Sequence, residues 1–179
     1  MRMSVPSLKQ LGVVSQLAYF PVDFDAALRH WTQVVGVGPF FLLNDVRLED
    51  MRYRGKPTDA VFSMALGYWG DMQIELIRCE SDAPSLYRGE YAVRDSLHHV
   101  CVFVDDMTAA RAACAKAGAE VLMEGKVGND GEVIYVDPGP GPGHVIEFLR
   151  PMSDSGELFA MMRDAACTWD GTEPVRILG

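Results

Sequence analysis

The sequence has little positive charge, no closely spaced cysteine pair and no long apolar run. Its 179 residues carry 16 Lys and Arg against 25 Asp and Glu, which gives a formal net charge of −9. Because non-specific affinity for nucleic acid comes from clustered basic side chains, this balance argues against DNA or RNA as a partner. No apolar stretch reaches the length of a membrane span, and residues 1–6 lack the apolar core of a signal peptide. We therefore expect a soluble, cytoplasmic protein.

The four cysteines are widely separated, and none lies in a CxxC pair. This spacing predicts reduced, mostly buried thiols in a reducing compartment. Hydrophobic residues make up 49% of the chain and charged residues 23%, an ordinary composition for a globular protein. The length suits one compact domain or two half-domains.

Hydrophobic periodicity predicts the same series of elements twice, namely a strand, a helix and three strands. In the first unit we expect strands over 12–20, 40–46, 60–68 and 72–78, with a helix between Asp23 and Gly36. In the second unit we expect strands over 97–104, 120–123, 133–137 and 144–149, with a helix from Asp106 to Gly118. The sequence therefore predicts a first module over residues 12–79 and a second over 96–150.

The remaining segments are predicted to connect or extend these modules. Residues 1–11 are predicted as a tail, the charged segment 48–59 as a loop and residues 80–95 as a linker. Residues 151–179 are predicted as a helical extension, with a helix that begins at Ser153 or Asp154 and ends at Gly171. Its apolar face is expected to cover the core or a subunit interface through Leu158, Met161, Met162, Ala165 and Trp169.

The two units also match residue by residue. A shift of 83 positions lays Gln16 on His99 and Asp23 on Asp106, and a shift of 72 positions lays Glu75 on Glu147. The second match extends over 74–78 and 146–150. Two matches at corresponding places, within the same order of elements, indicate an internal duplication.

The duplication brings four metal-capable side chains to two pairs of equivalent positions: Gln16 with His99, and Glu75 with Glu147. Since successive strand residues face opposite sides, all four point into one concavity if the helices cover the aliphatic faces. The same alternation turns His98 and His144 away from that concavity. Five further residues are expected to line it: Ala18, Phe20, Gln73, Cys101 and Phe103.

An amide oxygen, an imidazole and two carboxylates form a donor set that suits one divalent ion, such as Zn²⁺, Ni²⁺, Co²⁺, Mn²⁺ or Fe²⁺. Such an ion can polarise a substrate carbonyl as a Lewis acid, and a nearby carboxylate can then take the proton from the adjacent carbon. The ion can keep positions open for water or for the oxygens of a small-molecule substrate. The chemistry favoured is enolisation.

The segment 16–20 before Asp23, the segment 97–101 before Asp106, and the Ile-Glu-Leu and Ile-Glu-Phe endings resemble the vicinal oxygen chelate superfamily. That superfamily includes glyoxalase I, methylmalonyl-CoA epimerase, extradiol dioxygenases and bleomycin resistance proteins. The resemblance covers about residues 12–150 and implies an α+β fold. In it, two tandem βαβββ modules form a curved, incompletely closed mixed sheet around a metal site. The implied ligands are Gln16, Glu75, His99 and Glu147.

The order Gln, Glu, His, Glu is similar to that of some glyoxalase I enzymes, whereas the epimerase typically has His, Gln, His, Glu. The resemblance therefore implies a metal-dependent lyase, isomerase or epimerase, with Glu147 as the first candidate base and Glu75 as the second. It also implies a homodimer and a small-molecule substrate with two vicinal oxygens. Two alternatives stay open: a non-catalytic small-molecule binding or resistance protein, and an extradiol dioxygenase, which would need His in place of Gln16. The sequence leaves the substrate open, including whether glutathione or coenzyme A is involved.

Overall fold

The computed structural model describes residues 7–140 and 145–178. The first six strands are β1 (Val14–Tyr19), β2 (Phe40–Val46), β3 (Glu49–Tyr53), β4 (Lys56–Pro57), β5 (Phe62–Trp69) and β6 (Met72–Cys79). The others are β7 (Leu97–Phe103), β8 (Glu120–Val127), β9 (Gly131–Asp137), β10 (Val145–Arg150) and β11 (Val175–Ile177). The helices are α1 (Phe24–Arg29), α2 (Met107–Ala117) and α3 (Ser155–Cys167). Residues 1–6 of the predicted tail and His144 lie outside the described residues.

The strands form one mixed sheet of 11 strands in the order β11-β2-β5-β6-β1-β7-β10-β9-β8-β3-β4. In each unit the last strand lies parallel to the first, β6 beside β1 and β10 beside β7. The units meet where β1 and β7 pair antiparallel, with Ala18 opposite His99. The predicted α+β fold, with two βαβββ units in a curved sheet that does not close, is confirmed.

Each unit places its helix on the outer face of its own part of the sheet. Phe24 and Leu28 of α1 belong to a buried apolar cluster with Ile74 of β6. Met107 and Cys114 of α2 belong to a separate cluster on the second unit. Burying these apolar side chains stabilises the fold by about 25 cal/mol per Å² removed from water. The opposite, concave face is therefore left for the polar strand residues.

Both helices begin at an aspartate cap, as the sequence predicts. Asp23 Oδ1 accepts a hydrogen bond from the Ala26 N–H at 2.8 Å, and Asp106 Oδ1 accepts one from the Ala109 N–H at 3.0 Å. Each bond satisfies one of the amide donors that a helix N-terminus leaves without a partner. The single helix expected in the first unit is instead α1 followed by a π-helical turn over His30–Val35.

The prediction that residues 48–59 form a loop is wrong. They contain the β3–β4 hairpin, and β3 pairs antiparallel with β8, with Tyr53 opposite Met123. Only residues 47–48 separate β2 from β3, so the chain crosses directly from one outer strand of the first unit to one of the second. Asp50 also contacts Lys126 on β8 at 2.5 Å. This crossing narrows the open side of the sheet.

Helix α3 packs against β5 at the concave side of the first unit. Met162 is fully buried in a cluster with Phe41 and Leu66, and Phe159 stacks on Phe103 with ring centroids 5.5 Å apart. Met161, expected on the packed face, is 42% exposed instead.

The predicted extent of this helix is also wrong at its C-terminal end. The helix ends at Cys167 and not at Gly171, because a turn follows in which Asp170 Oδ1 accepts from the Thr172 N–H. Trp169 then donates its indole N–H to the Thr172 carbonyl. The chain continues into β11, which pairs parallel with β2.

The segment between the units fills one end of the concavity. Leu86, Tyr87 and Tyr91 are buried, and the Tyr87 ring lies 5.4 Å from both the Phe20 and Phe62 rings. The concave face is therefore closed by this segment at one end and flanked by α3 elsewhere. Over the described residues, no helix is long and apolar enough to cross a membrane.

Candidate metal centre

The four polar residues predicted to form the site lie on the four central strands. Gln16 is on β1, Glu75 on β6, His99 on β7 and Glu147 on β10. Each is between 2% and 6% exposed. Because a buried polar group without a partner is costly, four of them on one face require either each other or a bound ligand.

The residues between them are small. Ala18 lies opposite both Glu75 and His99, and Cys101 lies beside both Gln16 and Glu147. Both small residues are fully buried. Their short side chains leave room for the four longer ones above the centre of the sheet.

Three of the four side chains converge on one point. His99 Nε2 lies 3.0 Å from Glu147 Oε2 and 3.5 Å from Glu75 Oε2. One ligand atom from each of the three lies within 4.8 Å of the other two. Donors bound to one Zn²⁺ at about 2.1 Å are about 3.4 Å apart in a tetrahedral arrangement. The cluster therefore has the dimensions of a site for one divalent ion.

Gln16 is held by a chain of hydrogen bonds within its own unit. Its Nε2 donates to Gln73 Oε1 at 2.7 Å, and Gln73 Nε2 donates to the Tyr68 hydroxyl oxygen at 2.9 Å. This arrangement leaves Gln16 Oε1 buried without a hydrogen-bond partner. An unsatisfied buried acceptor costs about 1–3 kcal/mol. Because Gln16 belongs to the same cavity wall as Glu75 and Glu147, its unpartnered amide oxygen suits a fourth donor to a cation.

The cluster combines two buried carboxylates with one imidazole. Burial and the charge of Glu147 raise the pKa of Glu75, against the lowering effect of its hydrogen bond with His99. Burial alone would lower the pKa of His99, but the hydrogen bonds and charges of Glu147 and Glu75 outweigh it and raise that pKa to about 9. Without a metal ion, a proton on His99 partly balances the two carboxylates. A divalent cation can take over that role.

His98 is expected to face away from the site, and this expectation is wrong. Its Nδ1 lies 2.9 Å from His99 Nδ1, and its Nε2 lies 3.4 Å from the Leu86 carbonyl oxygen. The β1–β7 register shifts between Ala18 and Tyr19, so the simple alternation fails where β7 begins. Burial and the neighbouring His99 lower the pKa of His98 to about 3, and the ring is therefore neutral.

The contacts of His98 set the tautomers of both histidines. If His98 Nε2 carries the proton and donates to Leu86, its Nδ1 must accept from His99 Nδ1. Once His99 gives up its other proton, as metal binding requires, its Nε2 directs a lone pair towards the two glutamates. A metal-binding histidine commonly has such a partner at its second ring nitrogen.

The five residues predicted to line the concavity occupy different places. Gln73 lines the cavity, whereas Ala18 and Cys101 lie beneath the polar cluster. Phe20 packs against Tyr87, at the end of the concavity that the segment between the units fills. Phe103 stacks on Phe159 of α3.

The cavity beside the cluster has a volume of about 150 Å³, and most of its lining was missed by sequence reasoning. Tyr135 of β9 lies opposite Glu147, and the alternation of residues along β9 could have predicted that it faces the site. Burial and the charge of Glu147 raise the pKa of Tyr135, so its hydroxyl stays protonated. Helix α3 also lines the cavity, which the alternation of strand residues cannot predict. Its lining residues are Ser155, Leu158, Phe159 and Met162.

The fold and the cluster together define a two-module α+β protein with a buried Glu-His-Glu site of metal-binding dimensions. A sequence model of the Glyoxalase/Bleomycin resistance protein/Dioxygenase superfamily matches residues 15–136. The chain belongs to this superfamily, which is the one its motifs resemble. Its name covers both enzymes and resistance proteins.

Solved structures resemble the chain in fold. A hypothetical protein from Bacillus halodurans C-125 superposes with a TM-score of 0.55 at 15% identity, over 79% of this chain and 96% of that one. Methylmalonyl-CoA epimerase from Mycobacterium tuberculosis gives 0.51 at 12% identity, over 80% and 91%. A Streptomyces coelicolor methylmalonyl-CoA epimerase in complex with 2-nitronate-propionyl-CoA gives 0.51 at 14%, over 80% and 96%. A search of curated proteins finds no match.

Proposed function

We propose that the protein is a divalent-metal-dependent isomerase, epimerase or lyase that moves a proton next to a chelated carbonyl. The observation that supports this most strongly is the buried cluster of Glu75, His99 and Glu147, which lies beside a cavity that is also lined by Gln16, whose buried Oε1 has no hydrogen-bond partner. An apolar core does not otherwise tolerate two carboxylates and an orphan amide oxygen.

The ion would be held by His99 Nε2, a carboxylate oxygen from each of Glu75 and Glu147, and Gln16 Oε1. Zn²⁺, Ni²⁺, Co²⁺, Mn²⁺ and Fe²⁺ all accept such mixed nitrogen and oxygen donors. When bound, the ion would supply Lewis-acid polarisation of a substrate carbonyl.

The protein's own residues would then hold and move the proton. Glu147 is the first candidate base, on the strength of the family resemblance, and it lines the cavity. Glu75 is the second candidate, and its raised pKa brings it closer to the pH at which a carboxylate is an effective base. Tyr135, a residue of the cavity wall whose hydroxyl stays protonated, would donate a hydrogen bond to a substrate oxygen.

The first test is metal binding by the purified protein. We expect one divalent ion per chain, and stabilisation of about 2.7 kcal/mol at an ion concentration 100 times the dissociation constant. Metal analysis and thermal unfolding with Ni²⁺, Co²⁺ and Zn²⁺ measure both. A protein without stoichiometric metal and without any stabilisation would contradict the proposal.

The second test is substrate-dependent C–H exchange in D₂O, followed by NMR over hemithioacetals, 2-substituted acyl-CoAs and 2-hydroxy ketones. Glu147→Gln should abolish the exchange, and Glu75→Gln should reduce it through weaker metal binding. Glu120→Gln, at an exposed position at the start of β8, is the matched control and should leave exchange unchanged. If the Glu147→Gln variant keeps full exchange, Glu147 is not the base and Glu75 becomes the candidate.

A non-catalytic binding or resistance protein is the second candidate function. The observation that favours it is the small, largely apolar cavity, which is also what a sequestering site needs. Tight ligand binding with neither bound metal nor exchange would favour this function. An extradiol dioxygenase is a third candidate, and iron-dependent oxygen uptake with catechols would identify it.

A further inference from the structure

The cavity beside the polar cluster is apolar on nearly every side. Strands of both units supply aliphatic and aromatic side chains, among them Leu43, Phe62, Leu66, Val133 and Leu149. Helix α3 and the turn before it add Met152, Leu158, Phe159 and Met162. The polar groups are confined to the end at which Gln16, Glu75 and Glu147 lie, apart from Ser155. A ligand in this cavity therefore has one polar end and one apolar end.

Away from its polar end, the cavity offers no basic side chain to a negatively charged ligand group. Among the described residues that line it, the only charged ones are Glu75 and Glu147, and no Lys or Arg contributes. A neighbouring surface depression contains four basic side chains, of which Arg111 and Lys126 have close acidic partners, whereas Arg52 donates to the Gly55 carbonyl oxygen. Arg111 binds Glu124 and Glu132 at 2.8 and 2.7 Å, and Lys126 contacts Asp50. A phosphate or carboxylate held inside the cavity itself would meet no basic side chain.

The volume limits the apolar part of the ligand. A space of about 150 Å³ accommodates a ring the size of benzene. Since the cavity measures about 150 Å³, it fits a group of about six carbon atoms. Helix α3 forms one wall, so residues of the C-terminal extension set the length of that group.

We propose that the substrate is a small, uncharged molecule in which an oxygen pair is joined to an apolar alkyl or aryl group of about six carbons. The charged carrier of a glutathione conjugate or a coenzyme A thioester would find no basic side chain in this cavity. The inference deepens the proposed function and rests on it for the oxygen pair. Its apolar part rests on the cavity alone.

The test uses n-alkyl hydroxamates, which present two oxygens on a tail of chosen length, and the Ni²⁺-loaded protein. Isothermal titration should give a dissociation constant that falls about fourfold for each added methylene until the tail has about six carbons, and then rises. A tail that ends in a carboxylate should bind at least about tenfold more weakly than the alkyl tail of the same length. Metal retained by the protein is measured after each titration. Equal affinity for all tails, or preference for the carboxylate, would overturn the inference.

Variants of α3 assign the effect to this cavity. Leu158→Trp should shift the preferred tail to fewer carbons, and Leu158→Ala should shift it to more. Met161→Trp and Met161→Ala, on the exposed side of the same helix, are the matched controls and should keep the wild-type preference. Because the Ala variant opens space and the Trp variant fills it, at least one of them is expected to fold. An unchanged preference in a folded Leu158 variant would exclude this cavity as the tail site.

A metal-free arm separates the failure of this inference from the failure of the proposed function. Benzyl alcohol is titrated into the metal-free protein, and nuclear Overhauser contacts to the Leu158 methyl groups are sought. If benzyl alcohol contacts the Leu158 methyl groups but the protein fails to bind metal in the separate metal-binding test, the proposed function is contradicted and the apolar site is supported. Metal binding without contacts and without dependence on tail length would leave the proposed function standing and refute the inference.

Discussion

The two modules share one framework and differ in the side chain that the first strand of each brings to the centre. In both, an aspartate caps the helix, the last strand lies parallel to the first, and that last strand carries a glutamate. The first strand of the first module supplies the amide of Gln16, whereas that of the second supplies the imidazole of His99. The backbone framework thus survives a change that alters the chemistry of the site.

The contacts of these two side chains differ as much as their chemistry. Gln16 is bonded within its own module, to Gln73. His99 contacts glutamates from both modules and also His98. The second module therefore supplies the residue that joins the two halves of the cluster. We expect the two modules to contribute unequally to metal binding.

The largest expected effect is that of His99→Ala compared with Gln16→Ala. Loss of the imidazole leaves two buried carboxylates side by side and removes the one nitrogen donor. We expect metal affinity to fall more than about 100-fold, beyond the 10–100-fold effect typical of indirect partners. Gln16→Ala removes a weaker, neutral donor and should cost about tenfold. Calorimetric titration with Ni²⁺ or Zn²⁺ measures both, and equal losses would refute the inequality between the modules.

The next effect concerns His98, which has Ser15, a residue without a ring, at the corresponding position of the first module. His98→Phe keeps an aromatic ring among Phe20 and Tyr87 but removes the acceptor for His99 Nδ1. We expect metal affinity to fall by about 10–100-fold, since the tautomer of His99 is no longer fixed.

His98→Gln restores an acceptor and is the rescue control. Its metal affinity should lie between those of wild type and His98→Phe. The absorption spectrum of the Co²⁺-loaded protein adds a readout of ligand geometry that loss of packing alone does not change. If both variants bind metal as tightly as wild type, His98 has no positioning role.

Sequence reasoning found the framework because its signals are local. Strand alternation, the helix caps at Asp23 and Asp106, and the repeated Ile-Glu endings each depend on a few neighbouring residues. Together with the duplication, they were enough to bring His99 and both glutamates to one face. The structure places these three side chains within reach of one ion.

What the sequence did not reveal depends on distant contacts. The β3 strand gains its hydrogen bonds from β8, about 70 residues away along the chain, so its charged sequence predicts a loop. The direction of His98 follows from a register shift between β1 and β7, which no single-strand pattern encodes. The cavity wall formed by Leu158 and Met162 arises from the docking of α3, which amphipathicity alone does not direct to a particular surface.

A third prediction tests the place where the chain passes from β2 of the first module to β3, which pairs with β8 of the second module. A Cβ atom at Gly125 on β8 would lie 2.7 Å from the Leu48 Cβ, at the point where the chain crosses. Gly125→Ala should therefore reduce the free energy of unfolding by about 1–3 kcal/mol, because Leu48 and β3 must move. Urea denaturation measures this change.

The matched control is Gly156→Ala in α3, where an added Cβ meets nothing within 4 Å. It should stabilise the protein by about 0.4–1 kcal/mol, since alanine restricts the unfolded chain more than glycine does. If Gly125→Ala were as harmless as this control, the contact of Leu48 with β8 would not stabilise the crossing.

The smallest expected effects are those of the two helix caps, and they test how alike the modules remain. Asp23→Ala and Asp106→Ala each remove one hydrogen bond to the third residue of the helix, and each should cost about 1 kcal/mol of unfolding free energy. Asp105→Ala, at the exposed residue before the second cap, is the control and should change stability by less than about 0.5 kcal/mol. Because α2 is one continuous helix and α1 passes into a π-helical turn, a clearly larger cost at one cap would locate a difference between the modules in their helices. Equal costs would confine the difference to the site, where one module supplies an amide and the other an imidazole.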